Sequence, residues 1–227
     1  MKKKFPEVKT AFTLAETLLT LAIVGVIAAL TIPTLKDYSD EVRYITGVQK
    51  AFATINAATT AIETKHGDAM FWKFDQDKTI NWYRETMNVI PTTNDQTWER
   101  THIDGTEGYT FKPSFFTADG MAWSIGTGGY PCGGGCALVD INGPQPPNVI
   151  GIDQHGFRLG TLCNQNTKLG DWGVYPMGDI LHDENASWAC TAYVIKHNKM
   201  PWIKGMQNIK TCQDVLELSK SADNPQD

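Results

Sequence analysis

Four short polar side chains, Asp140, Asn142, Asn148 and Asp153, share one segment, and each of them carries an oxygen atom. Asp140 and Asn142 alternate on one face of a strand end, so that Asn148 and Asp153 can converge on them from across a hairpin. Carboxylate and amide oxygens are the ligands that calcium prefers. The segment therefore indicates a calcium site. The alternative is a purely local role, because the same short side chains support turns through hydrogen bonds to nearby backbone.

A single carboxylate, that of Glu16, lies inside an apolar run that covers residues 12–35. An unpaired charge in hydrocarbon costs about 2.5 to 3.5 kcal/mol even on the mildest insertion scales. The run contains no other charged residue. We therefore expect the partner of Glu16 to come from outside this segment.

The sequence shows no constellation typical of catalysis. The five histidines are scattered, and none has the spacing of a metal ligand or of a catalytic triad with a suitable partner. Acidic residues surround His182, but such a cluster is more typical of a solvated loop. We expect a protein that is not an enzyme.

The apolar run is long enough to cross a bilayer, since it has 24 residues and a spanning helix needs about 20. Four lysines precede it, which predicts a cytoplasmic N-terminus and an exported body in a single-pass inner-membrane protein. A cleaved secretory signal is the alternative. The run exceeds the usual apolar core of about 7 to 15 residues, and no clear small-residue cleavage site follows Pro33.

The exported part is acidic. The net charge of the chain is −5, and residues 1–11 contribute four lysines and one glutamate, which leaves −8 for the remainder. An acidic body repels the phosphate backbone, so we expect no nucleic-acid partner.

Cysteines in an exported body indicate disulfides, because that compartment is oxidising. The odd count leaves at least one thiol unpaired within the chain. Cys190 and Cys212 would close a loop near the C-terminus, and Cys163 could pair with either earlier cysteine, so the connectivity stays open. The five candidates are Cys132, Cys136, Cys163, Cys190 and Cys212.

Apolar residues recur at spacings of three and four beyond Pro33, which predicts one stripe along a helix. This stripe and the apolar run together predict a single helix over residues 13–66 that ends at Gly67. Its half-exposed second part needs a covering surface. The stripe consists of Leu35, Tyr38, Val42, Ile45, Val48, Phe52, Ile55, Thr59 and Ile62.

The later sequence offers strands as that covering surface. Residues 110–116 and 121–125 form a predicted hairpin around Asp119-Gly120, and residues 137–141 and 149–159 form a second pair. A short helix is predicted through Ile80, Tyr83, Met87 and Ile90, because Pro91 would stop it. Two further short helices are predicted over residues 185–198 and 209–218. These patterns predict an α+β fold with an antiparallel sheet of about four strands.

The residues just described resemble the N-terminus of type IV prepilins and type II secretion pseudopilins over positions 9–35. In that family a peptidase cuts after a small residue and methylates the new N-terminus; the matching positions here are Ala11 and Phe12. Alanine departs from the commoner glycine. The family's glutamate matches Glu16, and Gly25 and Pro33 fall where pilins often carry glycine and proline.

The resemblance implies a role for each motif residue. Cleavage would create an amine at Phe12, which could pair with Glu16 of a neighbouring subunit. Gly25 would allow close helix packing, with apolar filler as the alternative. Pro33 would bend or loosen the helix, with a simple kink at the membrane surface as the alternative. Several pseudopilins also hold calcium in their globular body.

The resemblance implies a pilin-like ladle, in which a long helix packs on an antiparallel sheet with short extra helices. Its divisions would be a leader (1–11), a transmembrane assembly helix (12–35), an amphipathic half (36–67) and a globular body (68–227). The implied partners are prepilin peptidase, other pilin or pseudopilin subunits, an inner-membrane assembly platform and membrane lipid. The expected function is filament assembly in a pilus or a periplasmic pseudopilus. The alternative is an anchored or pilus-tip adhesin whose tryptophan-rich body binds a glycan or a surface.

Overall fold

The computed structural model describes residues 13–74, 77–91, 96–127, 134–161, 172–178, 188–204 and 209–215. The chain divides into two compact units, Met1–Asp40 and Glu41–Asp227. The helices are α1 (Leu14–His66), α2 (Asp77–Thr86) and α3 (Ala189–His197), with 3₁₀ turns at Ala69–Phe71 and Pro201–Lys204. The strands are β1 (Val89–Ile90), β2 (Phe115–Thr117), β3 (Ala122–Thr127), β4 (Gly135–Asp140), β5 (Gln154–Thr161) and β6 (Trp172–Pro176).

Helix α1 confirms the predicted long helix. It begins after Thr13, and it ends where Gly67 adopts a φ of 86° and donates its N–H to the Glu63 carbonyl at 2.9 Å. Glycine tolerates this left-handed conformation at a helix end. The helical assignment is unbroken through Pro33, because the helix can continue around a proline when only one backbone hydrogen bond is lost.

The first part of α1 presents apolar side chains to its surroundings. Every large apolar residue between positions 14 and 35 is exposed, from 51% at Ile23 to 77% at Leu14. Among the described helices, α1 is long and apolar enough to cross a membrane, a test that a signal sequence also passes. The composition and the exposure are those of a surface suited to lipid rather than to water.

The second part of α1 belongs to the body and buries one stripe. Tyr44, Val48, Ile55 and Ile62 are at most 7% exposed and join the main hydrophobic core. The predicted stripe began earlier, at Leu35, and this extent was wrong. Leu35, Tyr38 and Val42 are 66%, 62% and 45% exposed, since the core that covers the stripe begins at Tyr44.

The sheet confirms the α+β class, and within the described residues it has six antiparallel strands in sequential order, two more than predicted. The edge strands were missed because β1 is only two residues long, directly before Pro91, and because β6 contains Gly173 and Pro176. The short helix also ends earlier than predicted, at Thr86, so that Ile90 lies in β1.

The two central hairpins were predicted with wrong boundaries. β2 is limited to Phe115–Thr117, and β5 begins at Gln154 rather than at position 149. The turn at Asp119-Gly120 is confirmed: Gly120 donates its N–H to the Thr117 carbonyl at 2.9 Å. Asp119 also forms a 2.8 Å salt bridge with Lys50 of α1, which links this turn to the helix.

The two faces of the sheet are covered by different parts of the chain. On one face Phe157 lies against Phe52 of α1, with ring centroids 5.6 Å apart, and Trp123 and Val139 are fully buried. Alternate residues point to the opposite face. There Phe116, Ala122 and Leu138 pack with Trp98 and Phe111 from the segment before β2.

The C-terminal part is joined by a disulfide between Cys190 of α3 and Cys212, as one of the predicted pairings proposed. Residues 212–215 are helical, in agreement with the second predicted C-terminal helix, and α3 agrees with the first. Burial raises the pKa of the Cys136 thiol to about 11. Cys132 and Cys163 lie outside the described residues.

The disulfide packs directly on the backbone of Gly151, in the loop that joins β4 to β5. A Cβ atom at position 151 would lie 2.5 Å from each of the two sulfur atoms. The Gly151 carbonyl also accepts a 2.8 Å hydrogen bond from the Trp202 indole. The C-terminal part therefore holds this loop in place.

Replacing Gly151 with alanine should destabilise the body strongly, because the new methyl group overlaps both sulfur atoms. Gly120 is the matched control, since its φ of 90° equals that of Gly151 within a degree and no described atom lies within 4 Å of its Cβ position. We expect a loss of about 3 kcal/mol or more for Gly151→Ala and about 1 kcal/mol for Gly120→Ala, measured by thermal unfolding. Equal losses would show that the contact with the disulfide is not tight.

Candidate functional site

Glu16 closes the start of α1 in a reciprocal pair of hydrogen bonds with Thr13. Its carboxylate accepts from the Thr13 N–H at 2.9 Å and from the Thr13 hydroxyl at 2.8 Å, and its own N–H donates to that hydroxyl oxygen at 3.2 Å. This is a capping box. The Thr-x-x-Glu spacing at the helix start brings Thr13 within hydrogen-bond reach of Glu16, but Thr13 is neutral and supplies no opposite charge.

Of the other motif residues in the N-terminal segment, the structure describes Gly25 and Pro33. Gly25 lies on the exposed part of α1, and no described atom lies within 4 Å of its Cβ position. Pro33 lies inside the helix. Ala11 and Phe12 lie outside the described residues. The helix surface around Gly25 is thus open to another helix.

The four predicted calcium ligands lie at one end of the β4–β5 hairpin. Asp140 is the last residue of β4 and is paired with Gln154, the first residue of β5. Asp153 directly precedes Gln154, and its carbonyl accepts the N–H of Ile141 at 2.9 Å. Asp140, Asp153 and Gln154 are fully buried. The hairpin register therefore brings two carboxylates together in the protein interior. We call this group, with Asn142 and Asn148, the oxygen cluster.

Asp140 is held by three hydrogen bonds. One carboxylate oxygen accepts from the Trp98 indole at 3.0 Å and from the Gln154 side-chain amide at 2.7 Å. The other oxygen accepts from the Asn142 N–H at 3.3 Å. The Asp140 side chain therefore connects the strand end to the segment that covers this face of the sheet.

Asp153 is held by the loop backbone. Its two oxygens accept from the N–H groups of Asn148 and Val149, at 2.8 and 2.7 Å. Asn142 closes the other side of the loop, because its amide donates to the carbonyls of Gln145 and Pro146 at 2.9 and 3.1 Å. These contacts are the turn-supporting ones that formed the alternative interpretation, and they fix the cluster's geometry.

Within the described residues, three buried amide oxygens of the cluster accept no hydrogen bond. They are Oδ1 of Asn142, Oδ1 of Asn148 and Oε1 of Gln154. A buried polar atom that lacks a partner costs about 1 to 3 kcal/mol, and such atoms are uncommon in folded proteins. Turn geometry alone does not explain them, because the turn uses the amide N–H groups and the carboxylates.

Burial raises the pKa values of both carboxyl groups. It raises the pKa of Asp140 to about 7, with a further contribution from the nearby charge of Asp153. It raises the pKa of Asp153 to about 6, although the N–H groups of Val149 and Asn148 oppose the rise. Arg100 is the neighbouring cation: burial lowers its pKa, and the charge of Asp140 acts in the opposite direction.

The arrangement fits a hard divalent cation. Two carboxylates and three amide oxygens offer donors of the type that calcium prefers, and a bound cation would favour the ionised form of the two carboxyl groups whose pKa values burial raises. Among the described residues, no three His, Cys, Asp and Glu side chains form a group. The donors here include amides, and they would suit calcium rather than a softer transition metal.

The sequence predicted four members of the oxygen cluster, but the fifth, Gln154, and the neighbouring Trp98 and Arg100 were not predicted. Gln154 could have been found from the register, since a hairpin that pairs Asp140 with its successor strand places position 154 opposite it. Trp98 lies 42 residues before Asp140, and no local pattern indicates that contact.

Comparison with protein-family models, with curated proteins and with solved structures finds no match for this chain.

The raised pKa of Asp140 predicts how stability depends on pH in the presence of a chelator. A carboxyl group whose folded pKa lies above its unfolded value stabilises the fold fully below about pH 4, and this contribution is lost as the pH rises through about 7. Between these limits the wild type should lose on the order of 4 kcal/mol relative to Asp140→Asn, a difference on the order of ten degrees in Tm.

The comparison with Asp140→Asn separates Asp140 from the other buried titrating groups. Burial lowers the pKa of His155 to about 4, so its contribution is lost as the pH falls, in the opposite direction. His155 is present in both proteins, and its effect largely cancels in the difference. A difference in Tm that is constant from pH 4 to pH 8 would contradict a protonated Asp140.

Proposed function

We propose that this chain is a pilin-like structural subunit, a minor pilin or a pseudopilin, that assembles into a type IV pilus or a type II secretion pseudopilus. The observation that carries the proposal is helix α1. One uninterrupted helix has an apolar, exposed surface over its first part and a single buried stripe over its second. A subunit that is first inserted in a bilayer and then packed among neighbouring helices needs both surfaces.

The continuity of α1 favours a retained helix over a conventional secretory signal. The helix passes without a break from its apolar part into residues such as Val48 and Ile55, which lie in the core of the body. A cut after the apolar run would sever this helix. Cleavage before the run, between Ala11 and Phe12, would leave it whole. In this proposal prepilin peptidase makes the cut and methylates Phe12.

Assembly would then move the charge of Glu16 from lipid into the packed helices of the filament. The capping box satisfies hydrogen bonds of the carboxylate, but Thr13 carries no charge that could neutralise it. The amine created at Phe12 of a neighbouring subunit supplies that charge. A buried ion pair gives little net stability, but breaking it by removing one partner costs about 3 to 5 kcal/mol. The pair would therefore fix the axial register of subunits, and Gly25 would allow their helices to approach closely.

The remaining partners follow from this pathway. Before assembly the chain would lie in the inner membrane, with its lysine-rich N-terminus in the cytoplasm and its body exported. An inner-membrane assembly platform would transfer it from lipid into a periplasmic or extracellular filament. Its role would be structural, without catalysis. The acidic body and the single apolar segment support this order of events.

Glu16→Gln should abolish filament incorporation, because it removes the charge but retains a side chain that can complete the capping box with Thr13. Thr13→Ala is the matched control, because it removes the cap and leaves the charge. We expect at least about a tenfold loss of the subunit from sheared filaments for Glu16→Gln and a small loss for Thr13→Ala, with equal membrane insertion of both.

The two variants separate the intermolecular role of Glu16 from its intramolecular one. If helix capping were its function, Thr13→Ala would impair incorporation as strongly as Glu16→Gln. Incorporation of Glu16→Gln at the wild-type level would overturn the charge pair.

We also propose that the oxygen cluster binds calcium in the exported body. The three amide oxygens that accept no hydrogen bond within the described residues support this proposal, together with the two desolvated carboxylates. Asp140, Asn142, Asn148 and Asp153 would supply ligands, with Gln154 beside them. Bound calcium would stabilise the β4–β5 loop rather than take part in a reaction.

Calcium should raise the Tm of the full-length protein at neutral pH, by several degrees when calcium exceeds its Kd a hundredfold, since binding then contributes about 2.7 kcal/mol. At pH 6 binding should also release protons, because both carboxyl groups must ionise. Calorimetry in two buffers of different ionisation enthalpy measures that release.

Asp140→Asn should remove both effects of calcium. Asp104→Asn is the control, since Asp104 is an exposed carboxylate that accepts hydrogen bonds from the N–H and the hydroxyl of Thr106. A wild-type Tm that does not respond to calcium would contradict the calcium site and leave the cluster with a role in the turn alone.

A further inference from the structure

A cleft lies in the body where α1 ends and α2 begins. It is lined by aromatic and basic side chains together with Asp68 and backbone of Gly67, and its volume is about 350 Å³. This is within the size range of small-molecule sites. We call it the aromatic cleft, and its main side chains are His66, Phe71, Trp72, Lys73, Lys78 and Trp82.

The inner wall of the aromatic cleft is a fixed stack of rings. The His66 imidazole lies parallel to the Trp82 indole, with centroids 4.2 Å apart and an interplanar angle of 11°. Trp72 meets Trp82 edge-on at 5.5 Å, and its indole N–H donates to the Gly67 carbonyl at 3.0 Å. A ligand that enters the cleft therefore meets a surface that is already ordered, which reduces the entropy lost on binding.

Phe71 stands at the rim and is 79% exposed. The 3₁₀ turn holds it there: the Phe71 N–H donates to the Asp68 carbonyl and the Trp72 N–H donates to the Ala69 carbonyl, each at 3.1 Å. Ala69, which is 1% exposed, anchors the turn in the core. An exposed aromatic ring on a fixed backbone turn is thus presented to solvent beside an aromatic cavity, an arrangement typical of binding sites.

The charge of the aromatic cleft is opposite to that of the body. Lys73 and Lys78 are exposed at its edge, against one carboxylate, Asp68. The Lys78 ammonium lies 5.1 Å from the centre of the Trp82 ring, at a distance where a cation is attracted by the aromatic face. The chain beyond residue 11 carries a net charge of −8. A local positive site in an acidic body favours a small anionic ligand and disfavours a long polyanion.

We propose that the aromatic cleft binds an acidic saccharide, a pyranose that carries a carboxylate. The apolar C–H face of such a ring packs on an aromatic side chain, here Phe71 at the rim. Its hydroxyl groups suit the Asp68 carboxylate, and its carboxylate suits Lys73 and Lys78. A simple apolar ligand would make no use of the two lysines. The proposal holds whether or not the chain assembles into a filament, because the site belongs to one body.

The test measures binding to the full chain in a polyoxyethylene detergent, whose head group is not a sugar. Tryptophan fluorescence and calorimetry follow titration with trigalacturonate, with neutral maltotriose and with adenosine monophosphate. We expect saturable binding of trigalacturonate, weaker binding of maltotriose, and loss of the preference between them at high salt. Adenosine monophosphate tests whether any aromatic anion suffices.

The variants use exposed positions, so that folding is preserved. Phe71→Ala should weaken trigalacturonate binding about fivefold or more, and Lys78→Gln should reduce the affinity for trigalacturonate to that for maltotriose. Tyr109→Ala and Lys112→Gln are the controls, since Tyr109 is 83% exposed and Lys112 is exposed outside the cleft lining. They should bind as the wild type does.

Three results would overturn the proposal. One is the absence of saturable binding by trigalacturonate to the wild type. Another is equal binding by Phe71→Ala and the wild type. The third is binding of adenosine monophosphate as tight as that of trigalacturonate, which would assign the cleft to aromatic anions in general.

Discussion

Helix α1 must satisfy two different environments with one continuous backbone, and the other features of the molecule follow from this constraint. Up to Leu35 its large apolar side chains are exposed, whereas from Tyr44 onward one stripe is buried under the sheet. The helix begins in a capping box and ends at a glycine, so its limits are set locally. Contact of this apolar surface with water is unfavourable, so the surface needs lipid or other helices around it. This is the physical basis of the proposed assembly role.

The body meets a different requirement, which is to cover both faces of a sheet that is buried on each side. α1 covers one face, and the segment around Trp98 and Phe111 covers the other. The hairpin ends Asp140 and Asp153 are thereby taken out of water together with Gln154. Their raised pKa values are the consequence of this burial. The disulfide between Cys190 and Cys212 packs against Gly151 of the same loop, so it also supports the geometry of the oxygen cluster.

The sequence predicted α1 well because its periodicity and both of its end signals are local. It predicted the four short polar residues of the hairpin as one cluster, since their spacing is also local. Contacts between distant segments could not be predicted: Trp98 reaches Asp140 across 42 positions, and the aromatic cleft forms only where α1 and α2 meet. The short edge strands β1 and β6 were missed because pairing with a neighbour, rather than propensity, makes them strands. The capping box between Thr13 and Glu16 was not predicted, although its Thr-x-x-Glu spacing is visible in the sequence.

The central claim is that residues 12–35 remain attached to the body as an assembly helix after the leader is removed. Mass spectrometry of the intact protein, purified from cells that contain prepilin peptidase, tests this claim most directly. We expect a chain that begins at Phe12 with one added methyl group and that is uncut at every later position. A chain that still begins at Met1, or one cut beyond Leu35, would contradict it.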